Sequence, residues 1–323
     1  MTKESTNTAY PYGDKRYYSL SDYCKETFGE KIYRLSLTSG MTCPNRDGKL
    51  SYGGCAFCSE GGSGDFAAPY APIRDQLTSA KERIQGKTSC RRYIAYFQSF
   101  TNTYAPIERL RALFEETLAE EEVAVLSIGT RSDCISDEVV ALLAELNRRK
   151  PIWAELGLQT IHQRTLDLMN THTSVAQYDD AVARLHAAGI PVVCHIILGL
   201  PGETKEDMLQ TVDYVAHTPT WGVKLQLLHV LRNTELARLY EANPFPLMEA
   251  EEYCRFVGTC IQHLRPDQVI HRLTGDGPKN LLIAPLWSAD KKRVLNLMTR
   301  TFRELDIRQG QEFTWQNPSP YTS

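Results

Sequence analysis

MTCPNRDGKLSYGGCAFCSEGG, residues 41–62, packs three thiols, Cys43, Cys55 and Cys58, into a glycine-rich loop. The strand-like run KIYRLSLTS (31–39) leads straight into it. Six glycines from Gly48 to Gly64 let the backbone wrap closely round a bulky object. Structural zinc wants a closed set of four ligands. Here the next thiol, Cys90, lies far downstream, and the first histidine is His162. An iron–sulfur cluster held by three cysteines leaves one iron open to an outside ligand, and thiolates suit such clusters. Two further readings stay open at this point. One is a zinc site completed by a distant Cys or His; the other is a disulfide with a spare thiol, although nothing in the chain points to an oxidising compartment.

With 323 residues, 42% of them hydrophobic and 23% charged, the composition is that of a soluble globular chain. The length suits one large α/β domain or two smaller ones. A net charge of −3 leaves no polybasic signature, so a nucleic acid would have to meet a local patch. The first twenty residues lack the apolar core of a signal peptide. No run approaches the ~18 apolar residues of a membrane span, so no membrane partner is expected. Cys24, Cys90, Cys134, Cys194, Cys254 and Cys260 are scattered, as small buried hydrophobes are. The expected compartment is reducing and cytoplasmic.

From residue 31 the pattern alternates. Strands are expected at 32–37, 92–97, 123–128, 152–158, 191–198 and 223–230, with helical patterns between them. Residues 106–121 place Ile107, Leu110, Leu113, Phe114 and Leu118 on one stripe; residues 136–149 start at a Ser136 cap. Residues 204–217 open with a capping-box pattern, Thr204-x-x-Asp207. Six such units predict an α/β fold, a partial (β/α)6 barrel, with ligands at the carboxyl ends of its strands. The cysteine loop follows the first strand and so lies at that end. Residues 1–30 are expected to form an N-terminal arm or short helix laid over the body, and 31–235 the barrel. Residues 236–323 are expected to form a helical extension, with helices near 249–264 and 289–306, that closes the barrel mouth.

A three-cysteine loop after the first strand of such a chain resembles the radical S-adenosylmethionine (SAM) superfamily. The resemblance implies a 4Fe–4S cluster on Cys43, Cys55 and Cys58, whose open iron chelates SAM. One electron then cleaves SAM to a 5′-deoxyadenosyl radical that abstracts hydrogen from a substrate. The cofactors supply the hard chemistry, while the protein orients them and excludes side reactions. Residue by residue, the likeness puts Phe57 beside the adenine. WAELGLQT (153–160) supplies Glu155 and Gln159 as polar contacts, and HIILGLPGET (195–204) supplies Ile197 and Gly199 against the adenine. FQSFTNTY (97–104) supplies Gln98 and Ser99 for the methionyl amine, without the usual paired glycines and Glu. SIGTRSD (127–133) supplies Ser127, Arg131 and Asp133.

A closer likeness runs from about Tyr17 to about Gln311. CPNRDG, GGCAFC, YFQSFTNTYAP, IGTRSD, LHVLRNTELA and TGDGPKNLLIAPLW resemble the YhcC/YtqA-like family, whose radical-SAM domain is akin to that of elongator subunit 3. Where that family is expected to read Asn-Arg-x-His, this chain has Asn170-Thr171-His172-Thr173. Arg131 or Arg164 substitutes for the missing Arg, or the contact is dispensable.

The family resemblance implies tailoring of the C5 side chain of a wobble uridine in tRNA, from carboxymethylaminomethyluridine toward aminomethyluridine. The implied partners are the tRNA anticodon loop and a reductant such as flavodoxin or ferredoxin. Substrate-side candidates are Arg46 with its neighbours Asn45 and Asp47, His229 and Arg232, and Thr274, Asp276 and Lys279. Lys291, Lys292, Arg293, Arg300 and Arg303 lie off the apolar stripe Val294, Leu295, Met298, Phe302 and Leu305, and could follow a phosphate backbone. Lys87, Arg91 and Arg92 form a smaller basic group. A solvated helix face is an equally open account of these charges. A radical-SAM enzyme acting on a small metabolite and a zinc-stabilised binding protein without catalysis are the alternatives.

Overall fold

The computed structural model describes residues 15–84, 86, 88–275 and 277–315. The sequence candidates Lys87 and Asp276, and the first fourteen residues of the arm, lie outside them. Six expected strands are present: β1 (Tyr33–Leu37), β2 (Tyr93–Phe97), β3 (Val123–Thr130), β4 (Ile152–Gln159), β5 (Val192–Leu198) and β6 (Gly222–Leu227). Their sequences are near-continuous apolar runs, and β2 and β3 are buried at every position. That is what helices on the outer face of a parallel sheet require.

The expected sixth strand ends early, at Leu227, and a two-residue β7 (Val230–Leu231) follows it. A seventh strand, β8 (Val269–Arg272), was not anticipated, because VIHR ends in two polar residues. It adds to β6 in parallel, so the sheet order is β1-β2-β3-β4-β5-β6-β8. The sheet remains an open partial barrel with β1 and β8 at its two ends. Strand β9 (Leu282–Ala284) pairs antiparallel with β7.

Helix α1 (Leu20–Phe28) lies within the expected arm. Ser19 caps its start, and Gly29 ends it in a left-handed conformation (φ 75°) that glycine adopts without a Cβ clash. Cys24 packs with Ile94, Val125 and Trp153, while the Tyr23 ring lies 4.8 Å from Trp221. Ser19 also bridges to Ile270 of β8. The helix therefore plugs the amino ends of the strands, opposite the cysteine loop.

Helices α2 (Ile73–Glu82), α3 (Ile107–Ala119), α4 (Asp137–Asn147), α5 (Gln163–Leu168), α6 (Val175–Ala187) and α7 (Lys205–Ala216) occupy the connections. Leu110, Phe114 and Leu118 of α3 face the core as their spacing predicts. Both halves of the Thr204–Asp207 capping box on α7 form. After β7 come α8 (Glu235–Ala242), α9 (Ala250–His263) and α10 (Lys291–Glu304). On α10 the buried face is Val294, Met298 and Phe302; Leu295 and Leu305, expected on the same stripe, are exposed. They sit off the i, i+4, i+8 line that meets α9.

Candidate active site

The cysteine loop is held from inside by two side chains. Asn45 donates to the Asn170 carbonyl (2.6 Å) and reaches the Cys55 sulfur at 3.5 Å. The Arg46 guanidinium donates to the carbonyls of Ser59 (2.6 Å) and Cys58 (3.3 Å) and lies over the Phe100 ring. A Cβ on Gly64 would overlap the Ser99 side chain, so the loop can lie this close only with glycine there. Cys43, Cys55 and Cys58 are all unpaired thiols and line one cavity, together with Phe57. Contact with the Cys55 thiol, a hydrogen bond with Ser63 and the guanidiniums of Arg46 and Arg131 bring Cys58 down to about 7 against its burial. The same contact, with burial, pushes Cys55 well up. Thiolate is the form that ligates metal, and this setting favours it at Cys58.

The other candidates divide into those at the cavity and those away from it. Gln98, Arg131, Gln159, Ile197 and His229 line it, as do Arg46 and Glu155. Gln159 has φ 69°, uncommon for a residue with a side chain, and its buried Oε1 has no hydrogen-bond partner. Such a side chain is set to meet a ligand. Arg131 forks onto Asp133 (2.9 Å twice) and donates to the Thr171 carbonyl at 2.8 Å. It therefore stands where the expected Arg is missing. Arg164 is exposed and pairs with Asp207, away from the cavity.

Several of the expected residues do not line the cavity. Ser99 is buried behind Gly64 and is not part of the cavity wall. Ser127 is fully buried, its hydroxyl bound to Glu155 at 2.6 Å. Gly199 lies in the turn past β5, near Met248 and Leu228 and off the cavity. Arg232 and Lys279, each in a turn, are solvent-exposed and off the cavity. Arg46 reaches the cavity, but its guanidinium is engaged with the loop backbone.

Glu155, assigned from sequence to SAM, anchors a charged cluster. It pairs with Lys224 from β6 and Arg34 from β1 (3.3 Å), and accepts from His195 (2.8 Å) and Ser127. Lys224 and Arg34 lie over the Tyr96 ring at 4.3 and 4.7 Å. Burial would raise the Glu155 carboxyl; Lys224, Arg34 and His195 overcome it and hold the group well below the usual range. Burial and Lys224 push His195 down to about 4 despite Glu155. Tyr96, Lys224 and Arg272 also line the cavity, and sequence reasoning missed all three. The signal was available in Lys224, a lone charge inside VKLQLL.

The mouth is narrowed by Gly275, Gly277 and Pro278. A Cβ at Gly275 would stand 2.8 Å from the His229 ring, and Gly277 is nearly as close. Gly275, Gly277 and Pro278 join the cavity lining, and His229 bonds to Ser288 at 3.0 Å.

The model of the radical SAM superfamily matches residues 40–215, and that of the radical SAM C-terminal domain matches 220–304. The chain belongs to the radical SAM superfamily. Within it, YtqA of Bacillus subtilis is 42% identical over 95% of this chain and 96% of its own length. YhcC of Escherichia coli K12 is 35% identical over 82% and 85%. These relatives place the chain in the YhcC/YtqA-like family. In fold it is similar to Elp3 from the archaeon Methanocaldococcus infernus, with TM-score 0.64 and 17% identity. That match covers 86% of this chain and 64% of the Elp3 chain.

Radical SAM proteins use a 4Fe–4S cluster and SAM. The residues of this radical SAM chain fit both. Three unpaired thiols on one glycine-rich loop could hold the cluster. A four-iron cluster spreads its thiolates over separate irons, so they need not converge on one point. Among the described residues no group of three His, Cys, Asp or Glu could hold a single metal ion. Gln159, Gln98 and Arg131 offer polar groups, and Phe57 and Ile197 apolar ones, for SAM at the same cavity. No helix among the described residues is long and apolar enough to cross a membrane.

Proposed function

We propose that this radical SAM enzyme modifies the C5 side chain of a wobble uridine in tRNA, taking carboxymethylaminomethyluridine toward aminomethyluridine. The observation that carries the reading is one cavity lined at the strand tips by the three thiols and deeper in by Lys224, His195 and Arg272. A slender, charged side chain presented by an extruded base suits such a shaft. Anticodon-loop bases already lie in single-stranded RNA and can be splayed out at small cost. The exposed basic residues Lys292, Arg293, Arg300 and Arg303 on α10 supply phosphate contacts.

Cys43, Cys55 and Cys58 hold the cluster. Gln159 meets SAM with its unpartnered carbonyl oxygen, Arg131 adds a cation, and Phe57 and Ile197 cover the apolar part. When bound, the two cofactors supply one-electron cleavage and hydrogen abstraction. The chain orients the reacting groups, and Gly275, Gly277 and Pro278 beside His229 limit water. Superfamily members need a reductant, and flavodoxin or ferredoxin in a reducing cytoplasm fills that part here.

The experiment compares modified nucleosides in tRNA from a deletion strain and its parent. The expected result is accumulation of carboxymethylaminomethyluridine and loss of aminomethyluridine derivatives. An unchanged wobble-uridine profile would remove the tRNA reading and leave a small metabolite as substrate.

A further inference from the structure

Asn45 is completely buried beside the first thiol of the loop. Its amide nitrogen donates to the Asn170 carbonyl at 2.6 Å and reaches the Cys55 sulfur at 3.5 Å. The carbonyl fixes which way the amide points, because turning it over would set two acceptors against each other. In this orientation the buried Oδ1 has no hydrogen-bond partner among the described residues. An orphaned buried acceptor is unfavourable, and here it accompanies two N–H groups that both meet a target. Asn170, itself in left-handed backbone (φ 51°), donates back to the Gly54 carbonyl at 3.0 Å. The Gly54 N–H donates to the Asn45 carbonyl at 2.8 Å. The amide is therefore clamped against the sulfur.

Ser63 makes a similar contact, its hydroxyl 3.3 Å from the Cys58 sulfur. Toward a thiolate the hydroxyl is the donor. Its backbone is left-handed (φ 64°), between Gly62 and Gly64. Glycine would take that conformation without strain, whereas serine does not. The side chain is kept against that preference, and its hydroxyl meets a ligand sulfur. The tip of β2 holds the segment in place. Gln98 donates its amide N–H to the Ser63 carbonyl at 2.7 Å, and the Phe100 N–H donates to the Gly62 carbonyl at 3.0 Å.

We infer that Asn45 and Ser63 are positioning residues that raise the reduction potential of the cluster, through hydrogen bonds to the sulfurs of Cys55 and Cys58. The inference rests on the assignment of the three thiols to that cluster. Reduction adds negative charge that the ligand sulfurs share, so a donor aimed at a sulfur favours the reduced form. One electron passes from a low-potential flavin or iron–sulfur protein, which is oxidised, to the cluster, which is reduced; no atom is transferred. Asn45 has the larger share, because no water competes for a fully buried sulfur contact. Ser63 is exposed, so water replaces part of its effect. Neither residue is a ligand, and both act through the cysteines.

The test poises anaerobically reconstituted protein at a series of potentials without SAM and reads the electron paramagnetic resonance signal of the reduced cluster at each. The midpoint is read on loaded protein only, so a variant that merely holds less iron leaves it unmoved. Asn45→Leu removes the donors with little change of volume. It is expected to lower the ratio of reduced to oxidised cluster at a fixed potential about ten-fold, a shift of about 59 mV to more negative potential. Ser63→Ala is expected to shift the midpoint in the same direction by a smaller step. Ser63→Gly, which relieves the left-handed strain, is expected to match Ser63→Ala. A wild-type midpoint in Asn45→Leu or in Ser63→Ala would overturn the role of that residue. So would a wild-type midpoint in Ser63→Gly beside a shifted Ser63→Ala, since strain and not the hydroxyl would then be acting. Should Asn45→Leu fail to fold, the Ser63 pair decides alone. Wild-type protein that takes up no cluster would overturn the thiol assignment and this inference together.

Discussion

At Cys58 two guanidiniums and two hydrogen bonds act on a single thiol, and the neighbouring Cys55 is held by Asn45. Cys90, by contrast, bonds to Thr88 and the Lys31 carbonyl, away from the cavity. Alanine at Cys43, Cys55 or Cys58 is therefore expected to abolish cluster binding, read as iron falling from about four per chain toward zero. Cys90→Ala should keep its iron. His195 gives a second expectation, with its sign fixed by the ionisation. Unfolded, the histidine titrates near 6.5; folded, at about 4. Between these values the unfolded chain binds more protons, so stability falls as the pH is lowered through the window. From pH 7 to pH 5 the loss from this group is about 2 kcal/mol. Urea unfolding of His195→Asn should show a correspondingly smaller pH dependence; an identical slope would mean that His195 is not held neutral. The thiols were legible because ligands clustered in sequence announce themselves. The pairing of Lys224 with Glu155 was not, since the two lie on different strands and only sheet register brings them together.

Among the elements, the six strands were legible because their apolar runs have both faces covered. Strand β8 was not, because four residues with a histidine and an arginine give no periodic signal. Ser99, Ser127 and Gly199 show a related limit. A position at a strand tip does not say whether its side chain enters the cavity, packs beneath a neighbouring loop or turns away. The loop itself gives a test. A Cβ at Gly64 would come within 2.8 Å of the Ser99 backbone, which cannot give way as a flexible side chain could. Gly64→Ala should therefore displace the segment that carries Cys58. The expected outcome is well under half the wild-type iron after reconstitution, with circular dichroism showing the barrel intact. Wild-type iron content would show that the loop tolerates the shift.

For the molecule as a whole, a helix plugs one end of an open barrel and the cysteine loop occupies the other. A partial barrel with a cavity at the strand tips was readable from the β/α alternation. The plug was not, because the contacts of Tyr23 with Trp153 and Trp221 join segments far apart in sequence. Whether the three thiols hold a cluster that cleaves SAM is decided by the product of that cleavage. Protein reconstituted anaerobically with iron and sulfide is reduced in the presence of SAM, and 5′-deoxyadenosine is quantified by mass spectrometry. The expected result is a brown protein that forms 5′-deoxyadenosine, with formation lost in Cys55→Ala. A colourless protein, or formation that persists in Cys55→Ala, would contradict it.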